Sequence, residues 1–176
     1  MSGVSVATFE RFLQWLYTGG YSSPEPIKTT YDLNGETFDE LDFNCVLRAH
    51  MEIYVFANDK DIQELKETAL KKLYEARKVW LSNEDHIVAN PEDLIVYAYE
   101  NTIKSDGPKL EPLRAFVMAY MSAMDPMTMI DDDFLEMMRG GRDELVRDIL
   151  KVFIQMRPSE GLAYLKYSIE QQGTGQ

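Results

Sequence analysis

HMEIYVFANDKDIQELKETALKKL, residues His50 to Leu73, reads as the end of one helix, a short polar break and a second helix. In the first, Phe43, Val46, Leu47, His50, Ile53, Tyr54 and Ala57 recur at spacings of three and four, as one helix face requires. In the second, Ile62, Leu65, Ala69, Leu70 and Leu73 do the same. Between them, Asn58-Asp59-Lys60-Asp61 offers short polar side chains that can cap the second helix. Neither helix buries its apolar face alone, so each is expected to pack on the other or on a third element.

Upstream, Ser5 is the expected cap of a helix over Val6 to Thr18. Phe9, Phe12, Leu13, Leu16 and Tyr17 form its apolar side, and Trp15 sits off that stripe. Gly19 and Gly20 end it, since either takes the left-handed conformation. Tyr21 to Leu41 is less regular and holds Pro24, Pro26 and Gly35. Short strands are expected near Ile27 to Leu33, closed into a small hairpin by the Asn34-Gly35 turn. A segment of this length is read as a surface loop.

Downstream, the second helix continues to Ala76 and on to Trp80. Pro91 opens a new helical unit over Glu92 to Thr102. Pro112 suits the first turn of another, running to about Met124. Asp131-Asp132-Asp133 reads as the acidic first turn of a short helix through Met138. A well-patterned helix follows from Glu144 to Met156, stopped by Pro158, and Ser159 caps a last one. The expected fold class is α+β, predominantly helical.

Composition narrows the functional classes. The 176 residues suffice for one domain with a real core, or a domain plus a helical appendage. A net charge of -12 disfavours nonspecific binding to nucleic acid or anionic membrane, because both need a basic footprint. Lys66, Lys71 and Lys72 are the nearest approach to a basic patch and read as the wet side of a helix. No run approaches a membrane span, and MSGVSVATFE lacks the basic and apolar regions of a secretory signal. The single cysteine, Cys45, excludes an internal disulfide and fits an intracellular location, nucleus or cytoplasm.

Candidate sites are weighed against packing. His50, Glu52, Cys45 and His86 do not form a zinc pattern: zinc needs three or four convergent ligands, and Cys45 lies five residues from His50. A hydrogen-bonded helix histidine is the expectation. Nothing beside Cys45 is arranged to lower a thiol pKa. Glu100 and Asp39 resemble an acid–base pair only as any two carboxylates in an acidic chain do. Gly19-Gly20 and Gly140-Gly141 lack the Gly-Lys-Ser/Thr ending of a phosphate loop and read as helix stops. Met118, Met121, Met124, Met127, Met129, Met137 and Met138 crowd one region, as a helical core or as an adaptable ligand or peptide groove. Core packing is favoured there, and also for Phe12 and Tyr17. Candidate partner contacts are Trp15, Tyr21, Met121 and Met124. No metal, cofactor or catalytic residue is expected.

Two segments carry a family resemblance. Phe9-Glu10-Arg11-Phe12-Leu13-Gln14-Trp15-Leu16-Tyr17-Thr18-Gly19-Gly20-Tyr21 resembles the F-x-x-F-L-x-W-L-Y-T-G-x-Y segment of BTB/POZ domains, especially the fungal type. His50 to Lys66 resembles the next segment, with Ala57-Asn58-Asp59-Lys60 where that family usually has A-D-K-Y. Tyr97-Ala98-Tyr99-Glu100-Asn101-Thr102 followed by Leu113-Arg114 is similar to the helical tail after such domains. The resemblance implies a truncated domain, its C-terminal half at residues 1–80, with a helical extension at 81–176. The strands and helices that precede the Phe9 helix in that family have no counterpart here. Association is therefore expected to avoid the family's usual dimer surface. The implied function is a non-catalytic interaction module, an adaptor or scaffold with transcriptional or ubiquitin-ligase partners, or self-association. The alternative is a small ligand-binding protein or enzyme using a pocket in the Met-rich helical region.

Overall fold

The computed structural model describes residues 4–33, 36–83, 85–103, 109–123, 136 and 143–155. The expected helix pair is α2 (Asn44–Asp59) and α3 (Gln63–Trp80). In α2, Val46, Leu47, Ala49, His50, Met51, Ile53, Tyr54, Phe56 and Ala57 are all buried, far more than one stripe. A helix buried on several sides needs several neighbours. α2 has them in α3, in α1 (Val6–Thr18) and in α4 (Pro91–Asn101). α3 buries a single stripe of Leu65, Ala69, Leu73 and Ala76.

The turn between α2 and α3 differs from the expected side-chain cap. Ile62 holds the N-cap position and makes no side-chain cap bond. The backbone instead closes the end of α2. Asp61 takes a left-handed φ of 55°. The Ile62 N–H then donates to Ala57 O at 2.8 Å and the Asp61 N–H to Asn58 O at 3.4 Å. This is a Schellman closure, usually built on glycine.

α1 matches its expected bounds. Ser5 Oγ accepts the Thr8 N–H at 3.1 Å, and Gly19 at φ 74° donates its N–H to Trp15 O at 2.8 Å. β1 (Ile27–Leu33) and β2 (Glu36–Asp42) pair antiparallel from Ile27 opposite Asp42 to Leu33 opposite Glu36. The register pairs Leu33 with Glu36 and so leaves two residues between the strands. β3 (His86–Ile87) joins β2 in parallel at Leu41 and Asp42. Asp42 Oδ1 accepts the Asn44 and Ala89 N–H groups, so one carboxylate sets the start of α2 and the chain after β3.

α4 and α5 (Pro112–Met121) belong to the same core as the helix pair. α4 packs on α2, and α5 packs on α3 and α4. The compact units are Met1–Asp125 and Pro126–Gln176. Glu111 is central to this joining. Its carboxylate accepts the Leu113 and Arg114 N–H groups at 2.8 and 3.1 Å and the Tyr54 hydroxyl from α2. Arg114, itself buried, donates to Thr102 Oγ1 and Thr102 O, both at 2.8 Å, and lies over the Tyr99 ring. In the second unit, α6 (Asp143–Gln155) has an acidic first turn and an ion pair between Lys151 and Asp148 at 3.1 Å. Six helices and a small three-stranded mixed sheet among the described residues make the fold α+β and predominantly helical. No helix there is long and apolar enough to cross a membrane.

The left-handed aspartate yields the first prediction. Asp61→Gly should raise stability by about 0.5–1 kcal/mol, because glycine takes that conformation without a Cβ penalty. Urea unfolding checks it, and a loss of stability would show that the Asp61 side chain matters more than its backbone.

Candidate functional site

α1 is docked by its less apolar side. The Thr8 hydroxyl donates to Glu52 Oε2 at 2.8 Å, and Glu52 Oε1 takes Arg48 Nε at 3.2 Å. The Phe12 ring meets Phe56 at 5.1 Å. The Gln14 side-chain oxygen accepts the Ser22 N–H at 2.8 Å. These contacts fix the rotation of α1 about its axis. With 3.6 residues per turn, they aim Thr8, Phe12 and Trp15 inward and turn the opposite stripe outward.

Core packing is expected for Phe12 and Tyr17, whereas the outward stripe is largely exposed. Val6 is 75%, Phe9 48%, Leu16 56% and Tyr17 82% exposed. Tyr17 therefore is not a core residue, and Phe12 keeps only a half-buried position. The Thr8–Glu52 bond, which spans 44 residues, is among the contacts made in this rotation. Val6 was missed as a surface residue, although its three-residue spacing from Phe9 extends the stripe.

The four candidate partner contacts separate. Trp15 is half-buried and stacks on Phe12 at 6.5 Å, so part of its ring remains accessible. Tyr21 and Met121 are 4% and 3% exposed, which corrects their reading as partner contacts. Tyr21 turns inward because its hydroxyl meets His50, and Met121 because it ends the buried side of α5. Met124 lies outside the described residues, as do Met127, Met129, Asp131 to Asp133, Met137, Met138 and the helix expected after Ser159. Met118 is buried on α5, consistent with core packing at that position.

His50 occupies a second feature. A groove of about 300 Å³ runs between the 21–26 segment, α2 and α3. Pro24, Pro26, Phe43, Val46 and Val79 supply its apolar walls; Ser23, His50, Lys72 and Glu75 supply polar groups. His50 Nδ1 lies 3.0 Å from Tyr21 Oη and Nε2 lies 3.2 Å from Ser23 Oγ. Burial, then the positive charges of Lys72 and Arg11, push the imidazole pKa down to about 4. Burial likewise pushes the Tyr21 hydroxyl well above its usual range. Both groups are neutral near neutral pH. Sequence spacing gave no signal for this cluster, since Ser23 and His50 meet across 27 residues.

The other candidates are engaged elsewhere. His86 Nδ1 lies 2.8 Å from Val79 O. Cys45 Sγ donates to Glu25 O at 3.4 Å, and burial pushes its pKa up. Asp39 pairs with Lys28 across the hairpin and accepts from Thr30, which together hold its carboxyl below the usual range. Glu100 lies on α4, exposed. No cluster of three or more metal-ligating side chains occurs among the described residues. Comparison with family models, with characterised proteins and with solved structures returns no match.

The depressed His50 pKa gives a pH prediction. Between about 6.5 and about 4, the unfolded chain binds a proton that the folded chain refuses. Stability therefore falls as pH drops through that window, and His50 contributes up to about 3 kcal/mol of the loss. Comparing wild type with His50→Gln in denaturant at several pH values isolates this part. Equal pH slopes for the two proteins would contradict it.

Proposed function

We propose that this chain is a non-catalytic protein–protein interaction module, an adaptor or scaffold, with α1 as its contact element. One observation carries the reading: four large apolar side chains on the outer stripe of α1 stand in water. Exposed apolar area costs roughly 25 cal/mol per Å² relative to covering it, and a contiguous stripe marks an interaction surface more than scattered residues do. Tyr17 and the half-exposed Trp15 add aromatic anchors of the kind enriched at interface hot spots. The resemblance to the C-terminal half of a BTB/POZ domain supports the adaptor class and would place it in the nucleus or cytoplasm, with transcriptional or ubiquitin-ligase partners.

A second reading has its own observation. Ser23 Oγ within 3.2 Å of His50 Nε2, beside an apolar groove, is the pairing of a nucleophile and a base. Two features rank it lower. An imidazole pKa near 4 makes a weak base at neutral pH, where a value near 7 works best. The residue after Ser23 is Pro24, which has no N–H to donate to a developing oxyanion.

The test is a photo-crosslinking amino acid placed at Tyr17 in cells, with Lys71, whose side chain is 78% exposed on α3, as the control position. A discrete protein adduct from position 17 and none from position 71 is expected. Adducts no more abundant at 17 than at 71, to any protein including this chain itself, would overturn the reading.

A further inference from the structure

We infer that α1 is a self-association element, through which two copies of this chain pair their α1 helices antiparallel along Val6, Phe9, Leu13 and Leu16. This rests on reading α1 as the contact surface and names the occupant of that surface as a second copy.

The spacing of the outward residues carries the inference. Val6, Phe9, Leu13 and Leu16 are separated by three, four and three residues. That is the a–d–a–d seam of helices that pack lengthwise on other helices. Val6, Phe9 and Leu16 are exposed and Leu13 is half-exposed, so among the described residues no partner helix lies over the seam. The neighbouring Tyr17 stands at the edge of the seam, 82% exposed. Thr8, bonded to Glu52, and Phe12, against Phe56, hold the other side of α1 on α2, so the helix cannot roll to hide the stripe without breaking both contacts.

The seam is complementary to itself. In an antiparallel pair, a positions meet d positions of the other helix. Here Val6 meets Leu16 of the second copy, and Phe9 meets Leu13. The reverse pairs follow by the two-fold axis, which passes near Arg11. All four seam residues are used, each layer joins a larger side chain to a smaller one, and nothing overhangs. The interface is isologous, so it closes at two copies and does not propagate. Antiparallel alignment also opposes the two helix dipoles.

Charge points the same way. The chain carries a net charge of -12, yet α1 holds only Glu10 and Arg11, which cancel. A partner recognised by charge would find nothing on this helix to read. An apolar, neutral helix of matching period is what the seam fits, and α1 itself is one. Full covering of the exposed parts of Val6, Phe9, Leu16 and Tyr17 in both copies would bury at most on the order of 1,000 Å². That is the lower end of specific interfaces, where transient, reversible association is found.

Sedimentation equilibrium of the full chain from about 1 to 200 µM tests the proposal, a span that brackets a micromolar dissociation constant. A monomer–dimer equilibrium is expected, tightening several-fold between about 0.05 and 0.5 M salt as repulsion between the acidic bodies is screened. Phe9→Glu and Leu16→Glu should each weaken it about tenfold or more with an unchanged circular-dichroism spectrum, because both sites are exposed in the monomer. Orientation is read in a Cys45→Ser background. Copies carrying Val6→Cys should form disulfides with copies carrying Leu16→Cys, and not with each other. A chain that stays monomeric at the highest concentration overturns self-association. If position 17 then still crosslinks to another protein, the interaction surface stands and only its occupant is wrong. A dimer indifferent to Leu16→Glu, or Val6→Cys copies linking to one another, overturns it equally.

Discussion

The constraint on which the first unit depends is that α2 is apolar around most of its circumference. Nine of its side chains are buried. A helix with one apolar stripe needs one neighbour; a helix buried on several sides must be enclosed. α3, α4 and α1 each cover a part of it. Polar groups then fix how each neighbour is seated. Glu52 holds α1 through Thr8, Arg48 lies 3.6 Å from the centre of the Tyr97 ring on α4, and Tyr54 reaches Glu111 at the start of α5. Each is a link from an α2 side chain to a specific residue of the surrounding elements. Hydrophobic burial is non-directional, so such bonds decide angle and register where area alone would not.

The seating of α1 shows how this matters for function. Area burial by itself would favour turning Phe9, Leu16 and Tyr17 onto α2. The carboxylate of Glu52 takes the Thr8 hydroxyl in an orientation that leaves the apolar stripe outward. A charge-assisted hydrogen bond is about twice as strong as a neutral one and is strongly directional. Its presence beside the Phe12–Phe56 contact gives one rotation of the helix a set of partners. The apolar stripe is thus a consequence of how the core is satisfied, and the surface offered outward follows from it. The groove beside His50 follows from the same enclosure, since Tyr21 and Ser23 fold over the imidazole and seat the 21–26 segment between α2 and α3.

Local features were legible in the sequence. Ser5 and Gly19 bound α1 because a cap depends on neighbours within four residues. β1 follows from the strand-like run near Ile27 to Leu33, and α2 and α3 follow from their period. Features that depend on distant residues were not legible. The rotation of α1 involves a contact across 44 residues, and the burial of Tyr21 involves a partner, His50, 29 residues away. The apolar faces of α4 and α5 are visible in sequence, but not that they pack on α2 and α3. Asp61 was read as part of a side-chain cap because a short acidic residue before a helix usually is one. Its left-handed backbone leaves no mark on composition.

Native-state hydrogen exchange in low denaturant tests the claim that α2 is the enclosed element on which its neighbours depend. Amides that open only with the whole molecule exchange with a denaturant dependence equal to that of global unfolding. The account predicts that the amides from Leu47 to Phe56 behave in this way, while those of α1 exchange through smaller openings of lower free energy. Exchange of α2 amides through openings smaller than those of α3 or α5 would contradict it.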